Sequence, residues 1–156
     1  MFLFNRKFLN VFNAAAFKKK VVHMHNFKGY MIKVGDRIFP NEYIAINTYN
    51  SSPNQRTDQD SYTDGNGMLQ RNILPHTRTK VTFSTPDELH LEDKIIMQSF
   101  FNRDETTLTY WNDETNSYSS GTFYIADPNF PIKRIVDDND NSDIIYGVIN
   151  LEIIEY

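Results

Sequence analysis

Two runs of alternating residues within segment 106–130 constrain the fold of this chain more than any other feature of its sequence. Alternation of apolar and polar residues with a period of two is typical of a half-buried β-strand, and the polar segment 112–116 between the runs predicts a β-hairpin. The side chains that would face a core are Leu108, Tyr110, Phe123 and Ile125. Trp111 and Tyr124 would then face away from that core, where they need a second layer, another chain or water.

The same reasoning predicts strands along much of the remaining chain. Segment 31–40 is expected to form a hairpin that closes at Gly35-Asp36, and Pro75 restricts its neighbourhood to a sheet edge or a bend. Further strands are predicted over 42–50, 70–74, 77–84, 132–136 and 144–156. The last strand is expected to lie inside a sheet, because apolar residues recur along one of its faces. These residues are Ile145, Ile149, Leu151 and Ile153.

Two polar stretches are predicted to be loops. Residues 51–68 are dominated by Ser, Asp, Asn, Gln, Thr and Gly and hold almost no side chain that a core could bury. A surface loop of this length in a compact domain is usually functional or mobile. Residues 137–143 are predicted to form a second, acidic loop.

One amphipathic helix is predicted from about Pro86 to Phe101. Thr85 suits the N-cap position, Pro86 suits the first helical position, and Glu88 lies three residues after the cap. The apolar stripe of this helix would contain Leu89, Leu91, Ile95, Ile96, Phe100 and Phe101. The expected fold is mainly β (α+β), a β-sandwich-like body of about eight strands with the helix, over about residues 86–101, packed on it.

Length and composition agree with one globular domain over residues 31–156. A chain of 156 residues suits a single core, and folding would bury about two-thirds of its surface. Cysteine is absent, which excludes disulfides, thiolate metal ligands and a cysteine nucleophile. No apolar run approaches the roughly 20 residues that a membrane-spanning helix needs, so we expect no membrane span.

Charge divides the chain into a basic beginning and an acidic body. Residues 1–30 carry six cations and no acid, for a charge of +6. Residues 31–156 carry 10 cations and 20 carboxylates, for a charge of −10, and the two parts add to the −4 of the whole chain. Binding to phosphates needs a basic face, so the acidic body argues against a nucleic-acid-binding domain.

The basic extension over residues 1–30 leaves several interpretations open. Phenylalanines recur at helical spacing from Phe4 onward beside cations, which is typical of a membrane-surface or targeting helix. A flexible tail, or an arm that orders only against a neighbouring subunit, is the simpler interpretation. A third interpretation is an artefact of the assigned start site, because Lys28-Gly29 is encoded by a purine-rich run just before Met31.

No residue pattern indicates a bound metal. Counted from Asp138 as a calcium loop, segment 137–143 has Asp143 where glycine is needed and Ile149 where a bidentate glutamate is needed. A second group of acidic residues, near two glycines, is slightly better suited to bind a metal ion. Its members are Asp58, Asp60 and Asp64. The histidines are His23, His25, His76 and His90, and none belongs to a recognised ligand pair.

Catalytic motifs are absent as well. The serines lack the context of a nucleophile elbow, and no glycine-rich segment continues into a phosphate-binding loop. We therefore expect neither an enzyme nor a cofactor.

Aromatic residues are the strongest candidates for a functional surface. The chain has 12 Phe, nine Tyr and one Trp, and such side chains are enriched in protein interfaces because they bury large areas at low entropic cost. The candidate interface residues are Tyr110, Trp111, Tyr118, Tyr124, Tyr146 and Tyr156. Ordinary core packing would account for part of this set, and a subunit contact would suit the remainder.

Three segments, in order along the chain, resemble a known family. They are DSYTDGNGMLQRN (60–72), RTKVTFSTP (78–86) and YWNDETNSYSSGTFYIAD (110–127). With the terminal strand, they resemble an uncharacterised family of small structural proteins of tailed bacteriophages and prophages of Gram-positive bacteria. The most specific part is the spacing of Asp64-Gly65, Arg71, Arg78–Lys80 and Gly121–Tyr124. The resemblance covers roughly residues 31–156 and leaves out the basic extension.

This resemblance implies a virion component of the tail, of the tube, distal-tail or hub type, with no catalytic residues to transfer. The expected partners are other copies of the chain, with which it could form a ring, and neighbouring tail proteins. The expected location is the virion tail, after a period in the host cytoplasm before assembly. Lateral β-pairing, the exposed aromatics and ordering of residues 51–68 would form the contacts.

Other classes of function stay open at this point. A monomeric carbohydrate- or peptide-binding β-sandwich module would use Trp111 and the tyrosines, and a non-virion tail assembly factor would share the same fold. Aromatic rings on a shallow concave platform would favour a ligand, whereas rings on a flat or edge-strand surface would favour a subunit. A hydrolase or metal enzyme would need carboxylates or histidines to converge in a pocket.

Overall fold

The computed structural model of the chain describes residues 25–102, 104–138 and 141–156. Within them the chain forms twelve β-strands, one α-helix and a short 3-10 helix over Asn41–Tyr43. The strands are β1 (Ile32–Val34), β2 (Arg37–Ile38), β3 (Asn50–Asp58), β4 (Tyr62–Thr63), β5 (Leu69–Gln70), β6 (Ile73–Ser84), β7 (Leu89–His90), β8 (Thr106–Asn112), β9 (Ser117–Ile125), β10 (Ile132–Asp138), β11 (Asn141–Tyr146) and β12 (Asn150–Glu155), and the helix is α1 (Leu91–Gln98). Of the basic extension, residues 1–24, and with them His23, lie outside the described residues.

Most strands belong to one antiparallel sheet of seven strands in the order β2-β1-β8-β9-β12-β6-β3. A second sheet has the order β10-β11-β7, and β4 pairs with β5. The prediction of a mainly β, sandwich-like body with one helix is confirmed. The strand count exceeds the predicted eight because β3, β4 and β7 lie in segments predicted as a loop or as the start of the helix, and the last predicted strand is two strands.

The core lies between the inner face of the seven-stranded sheet and a layer made by α1, the second sheet and the segment after β2. Buried side chains from these elements include Ile32, Val81, Phe83, Leu108, Phe123 and Ile153 on the large sheet, and Phe39, Met97 and Tyr146 opposite. Phe39 is central: its ring centroid lies 5.4 Å from that of Phe83 and 5.3 Å from that of Phe100. Each fully buried large apolar side chain stabilises the fold by about 1.5–3 kcal/mol.

The central hairpin is confirmed. β8 and β9 pair along the full length of β8, and the four side chains predicted to face the core are buried. The buried side chain of Asn112 forms the turn, since its Oδ1 accepts the N–H groups of Glu114 at 2.9 Å and Thr115 at 3.2 Å. An asparagine that bonds to the backbone two residues on stabilises a chain reversal at this point.

Three other predictions are also confirmed. β1 and β2 form the hairpin that closes at Gly35-Asp36, where Gly35 has a φ of +55°. β12 lies inside the sheet, between β9 and β6. Pro75 lies in β6 where its pairing with β3 changes register, so the missing N–H falls at an irregularity of the ladder.

The strand predicted over 42–50 is wrong. The chain turns there, because Asn47 has a φ of +64° that an extended strand does not permit. Thr48 holds the turn: its Oγ1 donates to the Ala45 carbonyl at 2.7 Å and accepts the Ser84 N–H at 3.1 Å. The strand begins only at Asn50.

The loop predicted over 51–68 is wrong as well, since β3 and β4 occupy most of it. β3 pairs with β6 through backbone groups, which make ladder bonds whatever the side chains are, so hydropathy does not reveal the strand. The acidic loop predicted over 137–143 contains the ends of β10 and β11, with residues 139 and 140 outside the described residues.

The helix begins at Leu91 rather than at Pro86. Glu88 has a φ of +63°, which no helical residue adopts, and the two residues after it form β7 beside β11. Tertiary pairing with β11 therefore overrides the local signals of a helix start.

Thr85, predicted as the N-cap, is fully buried, and its Oγ1 accepts the N–H of Ile149 at 3.0 Å. The predicted apolar stripe is also partly wrong. Met97 is the buried residue of α1, whereas Ile95 and Ile96 are exposed to solvent.

The strand predicted over 144–156 is two strands in different sheets, β11 and β12. Between them the N–H of Gly147 donates to the Pro131 carbonyl at 2.8 Å, and the chain passes from the second sheet to the first. The four side chains predicted to share a face are nevertheless buried, and they are Ile145, Ile149, Leu151 and Ile153.

Gly121 is the position of closest approach inside the large sheet. A Cβ at this residue would lie 2.7 Å from Oε1 of Glu155 and 3.1 Å from the Phe123 ring. The Glu155 carboxylate is held in place, because its Oε2 accepts the N–H of Thr79 at 2.9 Å.

We predict that Gly121→Ala lowers the free energy of unfolding by about 1–3 kcal/mol, because the added methyl displaces the carboxylate from the Thr79 N–H. Urea unfolding of G121A, E155A and the double variant provides the measurement. Both changes act on one contact, so the double variant should cost less than the sum of the single ones. If the losses in the free energy of unfolding add in the double variant, the Glu155 side chain is not the group that an added methyl at position 121 displaces.

Candidate functional site

The outer halves of β3 and β6, with the β4–β5 pair at their end, form a projecting hairpin over residues 54–78, here called the arm. The structure describes every residue of this segment, and none of them is buried. By contrast, β6 buries Thr79, Val81 and Phe83 where it runs toward and beside β12. The arm therefore extends beyond the core, with both of its faces in solvent.

Hydrogen bonds from Asp64 hold the tip of the arm. Its Oδ1 accepts the N–H of Asn66 at 2.9 Å and that of Met68 at 3.0 Å, and its Oδ2 accepts the side-chain amide of Gln70 at 3.1 Å. The Met68 N–H, and then the other two donors, lower the pKa of Asp64. Because these donors favour the charged carboxylate, the turn at the tip is held firmly at neutral pH.

The acidic residues considered as metal ligands have other roles on the arm. Asp58 makes a bidentate ion pair with Arg71, with distances of 2.9 Å to Nε and 2.8 Å to Nη2. Asp64 is used by the turn, as described above. Across the residues that the structure describes, no group of three or more His, Asp or Glu side chains could hold a metal ion.

Apolar side chains lie on the surface of the arm near its tip. Tyr62, Met68 and Leu69 are each 63% exposed, and Ile73 is exposed where β6 begins. A group of exposed apolar side chains on one projecting element is a candidate interaction surface, because contact with water costs about 25 cal/mol per Å² of apolar area.

Arg56 and Arg78 lie on the arm toward its base, and they differ from the other cations. Every other lysine or arginine that the structure describes has an ion-pair or aromatic partner, whereas these two have neither. Both are exposed. The arm thus carries two positive charges that are available to another molecule.

A second apolar surface lies between α1 and the β10–β11 hairpin, and is here called the groove. Its volume is about 840 Å³. Its apolar lining consists of Leu91, Ile95, Ile96, Val136 and Ile145. Glu92, Asp93 and Asp143 also line it, together with Arg134 and with His90, which pairs with Asp143. On β10, Ile135 alternates with the lining residues Arg134 and Val136, so it lies on the other face of the strand, where it is 70% exposed.

Asp143 of β11 joins the two walls of the groove. Its Oδ2 lies 2.6 Å from Nδ1 of His90, and its Oδ1 accepts the N–H of Leu91, the first residue of α1, at 3.2 Å. His90 occupies the N-cap position but makes no capping bond itself, so a carboxylate from another strand caps the helix. The hydrogen bond with His90, followed by the backbone N–H groups, lowers the pKa of Asp143.

The six aromatic candidates occupy three different environments. Tyr110 and Tyr146 are buried in the core. Tyr124 and Tyr156 pack against each other on the outer face of the large sheet, with ring centroids 5.4 Å apart, and Tyr156 is exposed. The third environment, around Trp111, is distinct from both.

Trp111 and Tyr118 lie half-buried under residues 25–31. The Phe27 ring meets Trp111 edge-on at 5.2 Å, and the Tyr30 ring stacks on Tyr118 at 4.7 Å. The Tyr118 hydroxyl donates to the Tyr30 carbonyl at 2.7 Å. These rings are therefore partly covered by the chain itself, and Trp111 also lines a shallow apolar depression of about 430 Å³ together with Phe27 and Met31.

A small apolar cavity opens beside the end of α1. It has a volume of about 190 Å³, and its lining includes Met97, Phe101, Phe130 and Leu151. Pockets that enclose a drug-sized molecule usually begin at about 300 Å³. The cavity is thus small for a sugar or a peptide.

A family model matches residues 24–156 of the chain. The chain belongs to a family of unknown function (DUF6711). No curated protein matches this DUF6711 chain. The match includes residues 25–30, which pack on the central hairpin as described above.

Two solved structures resemble the DUF6711 chain. One is the tail of an empty gene transfer agent (GTA) particle, computed with C6 symmetry, and the other is the virion of a native GTA particle. In each case the identity is 13%, the TM-score is 0.45, and the match covers 85% of this chain and 94% of the other. A likeness of this size carries no argument about function.

In the described part of the DUF6711 chain, no helix is long and apolar enough to cross a membrane. The Nε2 atom of His76 lies 3.1 Å from the carbonyl oxygen of Tyr156, and His90 pairs with Asp143.

Sequence reasoning missed the arm, the groove and the role of Asp143. The arm lies in the segment predicted as a loop, although the Asp64-Gly65 pair was a visible turn signal within it. The exposure of Ile95 and Ile96 had no sequence signal, since their spacing also fits a buried helix face.

We predict that Asp143→Asn lowers the melting temperature of the DUF6711 chain, because the amide cannot bind His90 and the helix N-terminus as a charged group does. A carboxyl group with a lowered folded-state pKa stabilises above its unfolded pKa, and this contribution is lost as pH falls through the lowered value. The difference from wild type should therefore be largest above the ordinary range of aspartate and shrink in acid.

Calorimetry across this pH range provides the measurement. Asp60→Asn is the matched control, because Asp60 is exposed on the arm and makes no hydrogen bond or ion pair among the described residues. A pH-independent difference for D143N would contradict the role assigned to the charge.

Proposed function

We propose that this protein is a structural component of a phage-type virion tail that assembles with copies of itself and with neighbouring tail proteins. The arm carries this proposal. Twenty-five consecutive residues, 54–78, include no buried side chain. Ordering a residue costs about 1–2 kcal/mol of backbone entropy, and an isolated two-stranded hairpin is marginal in water. A partner that covers the apolar tip would repay this cost.

The sequence resemblance supports the same proposal. Of the three segments that carry it, 60–72 is the tip of the arm, and 78–86 continues from its base into the core. One of the three segments, 60–72, thus coincides with a surface that has no role in the monomer.

The proposed assembly is a ring in the tail tube, distal tail or hub, formed in the host cytoplasm and then part of the virion. The arm and the groove are different surfaces, so contacts between copies would be heterologous, and such contacts close into rings when the rotation allows. The unpaired edges of β2, β3 and β10 would add lateral β-pairing.

A carbohydrate- or peptide-binding module is the second candidate, and the shallow apolar depression beside Trp111 is the observation that favours it. Tyr118 is less available to a ligand, because the Tyr30 ring stacks on it. A tail assembly factor that leaves before the virion is complete would use the same arm.

Peptide mass spectrometry on purified particles tests the proposal. We expect peptides from residues 31–156 in the particles, and the most amino-terminal peptide also reports whether residues 1–30 are present. Abundant protein in the lysate with none in the particles would overturn the virion role in favour of an assembly factor.

We predict that Met68→Asp combined with Leu69→Asp abolishes self-association without lowering the melting temperature. Both side chains are exposed, and surface substitutions usually change stability by less than about 0.5 kcal/mol. Light scattering after size-exclusion chromatography measures the mass of the assembly. Ile46→Asp is the control, because Ile46 is 89% exposed and lies outside the arm and the groove. An equal loss of self-association in the Ile46→Asp control would contradict the role assigned to the tip.

A further inference from the structure

We infer that β10 pairs with β10 of a second copy of this chain, in the antiparallel direction and centred on Val136. This inference rests on the proposed self-assembly and specifies one contact within it. The pairing would continue the second sheet, β10-β11-β7, across a two-fold axis into the same sheet of the other copy.

β10 is the longest regular sheet edge that is open among the strands that the structure describes. It pairs with β11 on one side and with no strand on the other. The other edges are short or interrupted, since β2, β4, β5 and β7 have two residues each and β3 contains Pro53 and two register shifts. From Arg134 to Asp138 the pairing of β10 with β11 is regular, so the outer backbone groups of this segment are spaced to receive another strand.

The side chains of β10 also lack cover. Every residue of the strand is exposed. Ile135 and Val136 are apolar and point to opposite faces of the strand, so a layer laid on one face would cover only one of them. A strand added at the edge brings neighbouring side chains to both faces at once.

Charge determines which strand fits this edge and in which direction. Arg134 begins the regular segment, Asp138 ends it, and Val136 lies at its centre. Antiparallel pairing centred on Val136 places Arg134 of each copy opposite Asp138 of the other, and opposite charges in this position stabilise a sheet. Parallel pairing in register would instead set like charges side by side.

Both charged groups are available for this contact. Asp138 makes no hydrogen bond or ion pair in the described part of the chain. Nη2 of Arg134 lies 3.9 Å from Oε2 of Glu88, and a guanidinium has several N–H donors, so it can bind a second carboxylate. The two ion pairs between the copies therefore form without breaking a contact within either copy.

The pairing is isologous, because both copies contribute the same strand. It uses neither the arm nor β3, so it would join copies from two rings rather than neighbours within one ring. A single pair of short strands buries far less than the roughly 1,200 Å² of a stable interface, so we expect free chains to form it only transiently. Two facing rings would repeat the contact, and the repeated contacts would hold together by avidity.

Disulfide trapping tests the pairing, because the natural chain has no cysteine. In this register Val136 lies opposite its own copy, within the Cα separation of about 4.4–6.8 Å that a disulfide spans. Ile135 is offset from its copy by two residues, which places the two Cα atoms about 8 Å apart, too far for a disulfide.

We therefore expect full-length Val136→Cys to form a disulfide-linked dimer several-fold faster than full-length Ile135→Cys on mild oxidation. Ile135→Cys is the matched control, because position 135 is 70% exposed and position 136 only 36%, so random collisions would favour the control.

An exchange of charges offers an independent readout. In the Val136→Cys background, Arg134→Glu and Asp138→Arg each set like charges opposite each other, and we expect each variant alone to form the disulfide about fivefold more slowly or less. A mixture of the two variants restores both ion pairs, so the dimer should form again and join one chain of each kind. Melting temperatures equal to that of Val136→Cys would exclude loss of folding as the cause.

The outcomes separate this inference from the proposed function. If Ile135→Cys forms the dimer as fast as Val136→Cys, or if mixing the charge variants restores nothing, β10 does not pair with itself in this way. The proposed function would then stand, because the arm carries it. Absence of the protein from purified particles would overturn the virion role and leave the trapped β10 dimer unaffected.

Discussion

The seven-stranded sheet depends on β12, the last strand of the chain. β12 lies between β9 and β6, so it joins the four strands β2-β1-β8-β9 to the pair β6-β3. Its Leu151 and Ile153 are buried, and together they contribute roughly 3–6 kcal/mol. Just before β12, Thr85 and Ile149 exchange two hydrogen bonds in a fully buried position. Without this strand the two parts of the sheet would each have an open edge and an uncovered apolar face.

The same arrangement fixes where the functional surfaces lie. β6 is paired on both sides, with β12 and β3, and it carries the arm at its beginning and leads to the second sheet at its end. Inside the core, every buried side-chain nitrogen or oxygen of the described residues has a hydrogen-bond partner. Outside, apolar side chains remain exposed on the arm and beside the groove, and the arm also carries Arg56 and Arg78, which have no ion-pair partner among the described residues.

Predictions from the sequence succeeded where the pattern of side chains reflects their burial. They failed where backbone hydrogen bonds, or residues distant in the sequence, determine the structure. The hairpin over 106–130 and the buried face of the last strands were predictable, because alternation reflects one face in a core. β3 was not predictable, because its side chains are polar and its pairing with β6 is made by backbone hydrogen bonds. The helix start at Pro86 failed because β7 pairs with β11 there. Of the aromatic candidates, Tyr110 and Tyr146 belong to the core, and no local pattern distinguishes them from Tyr156.

The sequence by itself determined that the chain is mainly β, which side chains of the central hairpin and of the last strands face the core, and where the hairpins at Gly35 and Asn112 turn. These features follow from short-range chemistry, namely period-two burial and residues that favour a reversal. Only the tertiary structure decided that Asp143 caps a helix 52 residues away, that Ile95 and Ile96 face solvent, and that β6 separates the arm from the groove. Such relations depend on the order of strands in the sheets, which is set by the packing of the whole chain and by no local segment.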